Sequence, residues 1–265
     1  MPTINGLKSK KESMMKNAVK MLVLVSLLFT IYQCNKQKKI DIYLIGDSTM
    51  AQYDSTRHPL TGWAEMLQPL FNDNVTVHNL GKSGRSTKSY IDLGHWKTAL
   101  DSLKKGNYLI IQFGHNDEKE YDSTRYTIPG GSFNANLKKF IKEAREKGAI
   151  PILATPIRRR KFDDEGNLLD THGKYPDAVR EVAKEENVPL IDLQKSTKKL
   201  IERYGVEGSK KLFMNLEPGE YPAYPDGKKD NTHLTELGAT EISKLAAEDI
   251  KKFNLELKNY LRDEK

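Results

Sequence analysis

One serine, one histidine and one aspartate, far apart in the chain, could together carry out nucleophilic chemistry. Ser48 stands in the Gly-Asp-Ser-Thr run at 46–49, and Asp230 precedes His233 by three residues. A serine hydroxyl is a weak nucleophile, so it needs a base within hydrogen-bond reach that is itself oriented by a third group. Asp230 and His233 would supply the orienting carboxylate and the base from one short segment. The sequence therefore predicts acyl transfer through Ser48.

Attack on a carbonyl also produces an oxyanion, which needs preorganised hydrogen-bond donors. Two further polar runs are candidates, Ser-Gly-Arg-Ser at 83–86 and Gly-His-Asn-Asp at 114–117. The predicted donors are the backbone N–H groups of Ser48 and Gly84 and the side-chain amide of Asn116. Glycine suits the second position because its backbone approaches a substrate closely without a Cβ in the way.

These polar runs follow short apolar segments that are typical of buried parallel strands. The predicted strands begin with the apolar part of 40–51 and continue with Val75–Leu80, Tyr108–Phe113, Ala149–Ala154 and Val188–Leu193. Segments with helical spacing alternate with them: Trp63–Phe71, Lys88–Leu103, Phe133–Lys147 and Tyr175–Glu186. The alternation predicts an α/β fold with a parallel sheet of about five strands and helices on both faces. The carboxyl ends of such strands share one rim, where ligands bind.

The pattern changes after the fifth predicted strand. Gln194–Tyr204 has helical spacing, whereas Gly205–Asp230 contains three prolines and no clear period. A loop of that length in a compact domain is usually functional or contains short elements of its own. Leu234–Leu257 is predicted as a closing helix whose start folds Asp230 and His233 over the rim, and the charged tail to Lys265 is expected to fray.

The four polar runs, taken in order, resemble the four sequence blocks of the SGNH (GDSL-type) hydrolases across residues 44–240. The resemblance implies a three-layer, flavodoxin-like α/β fold and no metal or other cofactor. Carried over residue by residue, it implies that Ser48 is the nucleophile, His233 the base and Asp230 the orienter. It likewise implies an oxyanion hole formed by the backbone N–H groups of Ser48 and Gly84 and the side-chain amide of Asn116.

Within that family, Gly-Asp-Ser-Thr together with Gly-Arg-Ser and Gly-His-Asn-Asp is most similar to the rhamnogalacturonan acetylesterase branch. That branch removes acetyl groups from pectic polysaccharide. The resemblance therefore implies an acetylated plant polysaccharide or oligosaccharide as the substrate. Esterases acting on xylan, peptidoglycan or lipid esters remain alternatives because the motifs serve acyl transfer in general. A carbohydrate-binding protein with a vestigial serine site is an alternative from another class.

Further positions near the predicted rim are candidates for substrate contact. His115 lies within the third polar run, and Arg158 opens an Arg-Arg-Arg-Lys run directly after the fourth strand. These cations are expected either to bind the acidic sugars of a pectic substrate or to form a solvated turn. The Tyr-Pro-Ala-Tyr-Pro segment at 221–225 is expected to stack on sugar rings or to pack its own loop.

Other interpretations of these motifs are less well supported by the sequence. Ser48 alone would be more typical of a helix N-cap, but the other three runs favour catalysis. The Gly-Lys-Ser run at 81–83 lacks the glycine that a phosphate loop requires five positions earlier. No Gly-x-Ser-x-Gly elbow surrounds Ser48. No cysteine pair or helical histidine pair predicts a metal site.

The basic character of the chain comes from its first 39 residues. The formal net charge is +7, and residues 1–39 hold eight lysines and one glutamate, which account for all of it. The rest of the chain, predicted as a single domain from 40 to 265, is formally neutral, which argues against nucleic acid as a partner.

Residues 1–39 are predicted to be an export leader. Met21–Tyr32 is apolar but too short for an ordinary spanning helix, and it fits a secretory signal. Cys34, the only cysteine, follows it as the lipidation site of a bacterial lipoprotein would. The expectations are a lipid-anchored protein, a periplasmic or secreted one, or retention through an uncleaved anchor. The sequence gives no oligomeric state.

Overall fold

The computed structural model of the protein describes residues 14–18, 20–21 and 38–263. The chain divides into two units, residues 1–38 and 39–265. Residues 14–18 and 20–21 of the first unit are helical, while Cys34 and nearly all of the predicted apolar leader segment lie outside the described residues. No helix in the described part is long and apolar enough to cross a bilayer.

The second unit is built on a parallel sheet of five strands. They are β1 (Ile40–Gly46), β2 (Val75–Asn79), β3 (Tyr108–Gln112), β4 (Ile150–Ala154) and β5 (Leu190–Ile191). Their order across the sheet is β2-β1-β3-β4-β5, and every neighbouring pair is parallel. This is the flavodoxin-like order, so the predicted fold class is confirmed. The strand order reverses between β1 and β3, and the crevice beyond the carboxyl ends of those strands is where such sheets bind ligands.

Helices cover both faces of the sheet. In residues 38–263 they are α1 (Thr87–Asp92), α2 (His95–Ser102), α3 (Ser132–Glu146), α4 (Tyr175–Glu185), α5 (Leu193–Gly208) and α6 (Glu236–Lys252). Successive strand residues point to opposite faces, so β1 contributes to two cores. Leu44 packs in the core that also contains Ile201 of α5 and Ile242 of α6. Ile45 packs in the core with Phe140 of α3 and Val179 of α4.

Two of the predicted helices are broken into shorter elements. Lys88–Leu103 is divided into α1 and α2 by Gly94, whose φ of 77° is left-handed and therefore ends a right-handed helix. Trp63–Phe71 forms two 3-10 turns, Trp63–Met66 and Gln68–Leu70. Pro69, which cannot donate a backbone hydrogen bond, lies in the second turn and disfavours a continuous α-helix.

The segment predicted as a long irregular loop contains an antiparallel hairpin. Helix α5 extends to Gly208, a 3-10 turn follows, and β6 (Phe213–Leu216) pairs with β7 (Lys228–Leu234). The prediction missed β7 because its residues are mostly polar and show no apolar alternation. In the structure, β7 is stabilised by backbone hydrogen bonds to β6, which its side-chain pattern does not indicate.

The C-terminal end is more ordered than predicted. Helix α6 ends at Lys252, and Glu256–Tyr260 forms a further 3-10 turn. Arg262 then donates its backbone N–H to the Leu70 carbonyl at 2.8 Å and its Nε to the Phe71 carbonyl at 2.6 Å. As far as Asp263, therefore, the expectation of a frayed tail is wrong.

Candidate active site

The structure brings the predicted nucleophile, base and orienter into one hydrogen-bonded chain. The Nε2 atom of His233 lies 3.0 Å from the hydroxyl oxygen of Ser48, although 185 positions separate the two residues. The Nδ1 atom of His233 lies 2.8 Å from Oδ2 of Asp230. Ser48 is buried at 7% exposure, whereas the His233 side chain is 28% exposed. This geometry lets the imidazole take the serine proton while solvent still reaches its edge.

Asp230 is held as an anion. Its Oδ1 accepts the backbone N–H groups of Thr232 and His233 at 2.9 and 3.0 Å, which leaves Oδ2 for the imidazole. Burial tends to raise the pKa of Asp230, but the hydrogen bond from the His233 ring and these backbone donors outweigh it and hold the pKa well below its usual range. A carboxylate that stays charged can fix the imidazole tautomer and stabilise the imidazolium.

Both residues lie on strand β7 rather than on the loop expected from sequence. Arg160 clamps the neighbouring part of this strand, because its backbone N–H donates to the Asn231 carbonyl at 2.9 Å and its Nη1 donates to Asn231 Oδ1 at 3.0 Å. The same guanidinium also donates to Ser209 Oγ at 3.0 Å and to the carbonyl of Val206. The base is therefore positioned by an arginine that belongs to the segment after β4.

Ser48 is positioned at the end of β1 by a fully buried carboxylate. Oδ1 of Asp47 accepts the N–H and the hydroxyl of Thr49 at 2.9 and 2.8 Å, and Oδ2 lies 3.1 Å from Nδ1 of His115. Burial raises the pKa of Asp47, and the His115 ring and the Thr49 donors reverse that effect so that the pKa falls below its usual value. A Cβ at Gly46 would stand 2.6 Å from the Gln112 carbonyl oxygen, so only glycine fits before this turn.

The predicted oxyanion donors lie in the polar runs that follow the neighbouring strands β1, β2 and β3. Among the described residues, the backbone N–H groups of Ser48 and Gly84 donate to no protein acceptor, so both are available. Gly84 has a φ of 73°, a conformation that glycine adopts without strain. Asn116 lies beside this turn because its Nδ2 donates to the Arg85 carbonyl at 3.1 Å, and an amide nitrogen has a second hydrogen to offer.

His115 is buried beneath the predicted site. It is 3% exposed, its Nδ1 faces Asp47, and its ring packs edge-on against His172 with the centroids 4.5 Å apart. Its Nε2 is buried and has no partner within the described residues. Burial lowers the pKa of His115 to about 4, so the ring is neutral at pH 7 and donates through Nδ1. The predicted contact between His115 and substrate stays a prediction, and the burial of both ring nitrogens favours a structural role instead.

Arg158 is largely engaged by the protein itself. Its side chain is 9% exposed, and its guanidinium donates to the Leu169 carbonyl at 3.0 Å and to Asp170 at 3.2 Å. Arg159 forms an ion pair with Glu118, and Arg160 is the clamp described above. The arginine run therefore ties the segments around the site together rather than forming a solvated turn, and contact between Arg158 and acidic sugars stays a prediction.

Three side chains that contact the polar runs or the predicted site residues were missed from sequence. Gln112 donates to the Thr49 hydroxyl at 2.9 Å, Lys119 donates to Asn116 Oδ1 at 2.8 Å, and the Lys228 ammonium lies 3.5 Å from Asp230 Oδ2. Sequence spacing could have found the two lysines, since each stands two or three residues from a motif residue. Gln112 gave only the weaker signal of a polar side chain in an apolar strand.

Metal ligands are not grouped in the part of the chain that the structure describes. No three histidine, cysteine, aspartate or glutamate side chains there come together as a candidate metal site. The arrangement that is present can activate a hydroxyl, accept its proton and bind an oxyanion. The fold and this arrangement are those of a serine hydrolase.

Comparison with known proteins identifies the class more closely. The profile of the GDSL-like lipase/acylhydrolase family matches residues 44–240. The chain belongs to this family and is a carboxylic ester hydrolase, as the sequence blocks predicted. It is 44% identical to the rhamnogalacturonan acetylesterase RhgT of Bacillus subtilis (strain 168), over 85% of this chain and 95% of that protein. It is also 37% identical to the probable rhamnogalacturonan acetylesterase YesY of the same organism, over 82% and 94% of the two chains.

Solved structures resemble the chain in fold. The crystal structure of Bacillus subtilis YxiM gives a TM-score of 0.68 at 24% identity, over 83% of this chain and 58% of that one. The acetylxylan esterase Axe2 of Geobacillus stearothermophilus gives a TM-score of 0.58 at 16% identity, over 84% and 97% of the two chains. Both similarities are in the fold and do not identify the substrate.

Proposed function

We propose that this chain is a serine acetylesterase that removes O-acetyl groups from pectic polysaccharide of the rhamnogalacturonan type. The observation that carries the proposal is the hydrogen-bonded chain from Ser48 through His233 to Asp230, at 3.0 and 2.8 Å. The similarity of nearly the whole domain to proteins named as rhamnogalacturonan acetylesterases supports the substrate class.

In the first half of the reaction, Ser48 Oγ attacks the acetyl carbonyl carbon while its proton moves to His233 Nε2. The carbonyl oxygen becomes an oxyanion, for which the N–H groups of Ser48 and Gly84 and the amide of Asn116 are the proposed donors. The bond between the carbonyl carbon and the sugar oxygen then breaks, and His233 returns the proton to that oxygen. The products are a free sugar hydroxyl and an acetyl ester on Ser48.

In the second half, water attacks the acetyl ester while His233 removes one of its protons. Collapse of the new oxyanion breaks the bond to Ser48 Oγ, which recovers its proton from His233, and acetate leaves. Asp230 stays ionised throughout and stabilises the imidazolium in both halves. The sequence of steps needs no other co-reactant.

Acetate release from defined substrates tests the proposal. Wild-type protein and Ser48→Ala would be compared on acetylated rhamnogalacturonan, acetylated xylan, acetylated peptidoglycan and a short-chain lipid ester at equal acyl concentration. We expect the highest kcat/KM on rhamnogalacturonan and none in the variant. Faster release from xylan, peptidoglycan or lipid would reassign the substrate, and failure of an organophosphonate to label Ser48 would favour a non-catalytic binding protein.

We also propose that the protein is exported and that Cys34 is its lipid attachment site. The lysine-bearing start and apolar run before Cys34 support export, and one relative, 28% identical over 64% of this chain, is the Bacillus subtilis protein called uncharacterized lipoprotein YqeF. Expression in a bacterium with labelled palmitate tests this proposal. We expect label in wild type and none in Cys34→Ala, whereas an unlabelled protein in the medium would indicate plain secretion.

A further inference from the structure

Two cations lie beside the proposed oxyanion donors. Lys119 Nζ donates to Asn116 Oδ1 at 2.8 Å. Arg125 Nη1 lies 4.0 Å from the point where a Cβ on Gly84 would stand. One cation therefore contacts the donor amide, and the other lies over the donor glycine.

The segment that carries these cations is fastened to the end of β3. The Lys119 N–H donates to the Asn116 carbonyl at 3.3 Å, and the Arg125 N–H donates to the Asp122 carbonyl at 3.0 Å. The segment returns to the rim where the Thr127 N–H donates to the Asp117 carbonyl at 3.0 Å. The two cations are thus held near the site by backbone hydrogen bonds rather than carried on a free chain end.

The local charge is only partly compensated. Arg125 Nε pairs with Asp122 Oδ2 at 3.0 Å, but within residues 38–263 its Nη atoms donate to no acceptor. In the same part of the chain Lys119 forms no ion pair, because nearby Glu118 is taken by Arg159 and His172. Burial and the neighbouring charges of Arg125 and Arg159 lower the pKa of Lys119, and the carboxylates of Asp122 and Glu118 oppose this shift only in part.

Arg125 differs from the arginines of the run after β4 in how its guanidinium group is used. Arg158 and Arg160 are each 7% exposed, and the outer nitrogens of both guanidinium groups donate to protein acceptors. The Arg125 side chain is 33% exposed and keeps its outer N–H groups free of protein acceptors in the described residues. A planar guanidinium with free N–H groups can bind a carboxylate in a bidentate manner, and a nearby ammonium adds charge without geometric demands.

We propose that Arg125 and Lys119 form a carboxylate-binding subsite that selects substrates with a uronate next to the acetylated sugar. The inference rests on the proposed function and extends it, because a pectic chain presents such carboxylates and a neutral xylan backbone does not. With the acetyl carbonyl bound by Gly84 and Asn116, the cations lie on the same side of the scissile bond as those donors. They would hold the neighbouring acidic sugar and leave the base side open to water.

Binding of an unacetylated oligogalacturonate by calorimetry tests the subsite independently of catalysis. The full chain carrying Ser48→Ala would be compared with the same chain carrying Arg125→Met in addition. We expect the Kd to rise by about tenfold in the Arg125→Met protein, the weakening typical of losing one charge-assisted bidentate contact. Arg125→Lys should restore part of the affinity, and added salt should shrink the difference.

Arg203→Met provides the matched control, since it removes the same charge from an arginine whose side chain is 69% exposed and lies 3.8 Å from Glu241. Its Kd should stay within about twofold of the parent, and thermal melts would verify that all variants fold. Absence of oligogalacturonate binding to the parent, or equal weakening in Arg203→Met, would overturn the subsite. Neither result would contradict the acetylesterase proposal, because that proposal is tested by acetate release and not by binding of oligogalacturonate.

A second measurement separates substrate selection from general support of the oxyanion. In the chain with Ser48 intact, Arg125→Met should raise KM more on acetylated uronate-containing oligomers than on acetylated xylo-oligomers. An equal fall of kcat on both substrates would mean that Arg125 acts on the oxyanion rather than on the sugar, and would also overturn the proposal.

Discussion

Ser48 and His233, the predicted nucleophile and base, meet at 3.0 Å, yet they are carried by two regions that are built differently. The strand-end rim, formed by residues 46–49, 83–86 and 114–117, follows β1, β2 and β3. The base hairpin, formed by β6 and β7, lies outside the parallel sheet. Asp47 and Asn116 of the rim are 0% and 3% exposed, whereas the side chains of Asp230 and His233 on the hairpin are 17% and 28% exposed.

The difference lies in what holds each side chain in place. On the rim, the buried sheet and two apolar cores fix the backbone, and Asp47 fixes the turn that presents Ser48. The hairpin also buries Phe213, Met214 and Leu234, but Asp230 and His233 themselves depend on polar contacts of the hairpin. The chief contacts are the Arg160 clamp and the N–H of Thr61, which donates to the Leu234 carbonyl at 3.1 Å. Alignment of His233 should therefore depend on these individual contacts more than the backbone of the rim does.

The largest expected effect on kcat comes from removing Ser48 or His233, which connect the two regions. His233→Ala should lower kcat by about 10⁴-fold or more, because the serine then has no base, with little change in the melting temperature. Combining it with Ser48→Ala should add almost nothing, since residues that act as a unit are not additive. Substantial residual turnover in His233→Ala would mean that the two regions act separately. A double variant whose loss of kcat equals the product of the two single losses would mean the same.

The Arg160 clamp gives a smaller effect that distinguishes the two regions. Arg160→Met removes the donor to Ser209 Oγ, while Asn231 Oδ1 and the Val206 carbonyl each lose one of their donors, which should cost about 1–2 kcal/mol of unfolding free energy. Misalignment of the base should also lower kcat by about tenfold. Chemical denaturation and steady-state kinetics would measure both, with Arg203→Met expected to change stability by less than about 0.5 kcal/mol. A loss of stability with unchanged kcat would show that the hairpin does not need this anchor to place the base.

The smallest expected effect is on acid stability. The pKa of Asp230 is lower in the folded protein than its ordinary value, so its carboxylate stabilises the fold above about pH 4, and this contribution is lost as the pH falls through the folded value. Between about pH 5 and pH 3, wild type should lose about 1 kcal/mol more unfolding free energy than Asp230→Asn. Asp226→Asn, at an exposed position in the β6–β7 connection, is the control and should follow wild type. Parallel curves for all three proteins would contradict a stabilising role for the Asp230 carboxylate.

The sequence determined most of the rim. Apolar strand segments that stop at small polar runs predict a parallel sheet, and the carboxyl ends of parallel strands share an edge whatever the details of packing. Ser48, Gly84 and Asn116 could be assigned to one place for that reason alone. The spacing of Asp230 and His233 likewise identified an orienter and a base, because a three-residue separation allows one side chain to reach the other.

Tertiary structure decided the rest, because those features depend on contacts between distant segments. Strand β7 has no apolar alternation, and it became a strand only by pairing with β6. The burial of His115 and Arg158, which the sequence did not predict, follows from how Asp47 and the segment around Asp170 pack against them. Local sequence fixes which groups are present and which turns they occupy, whereas burial and pairing over long separations decide whether a polar group supports the fold or remains free to meet a substrate.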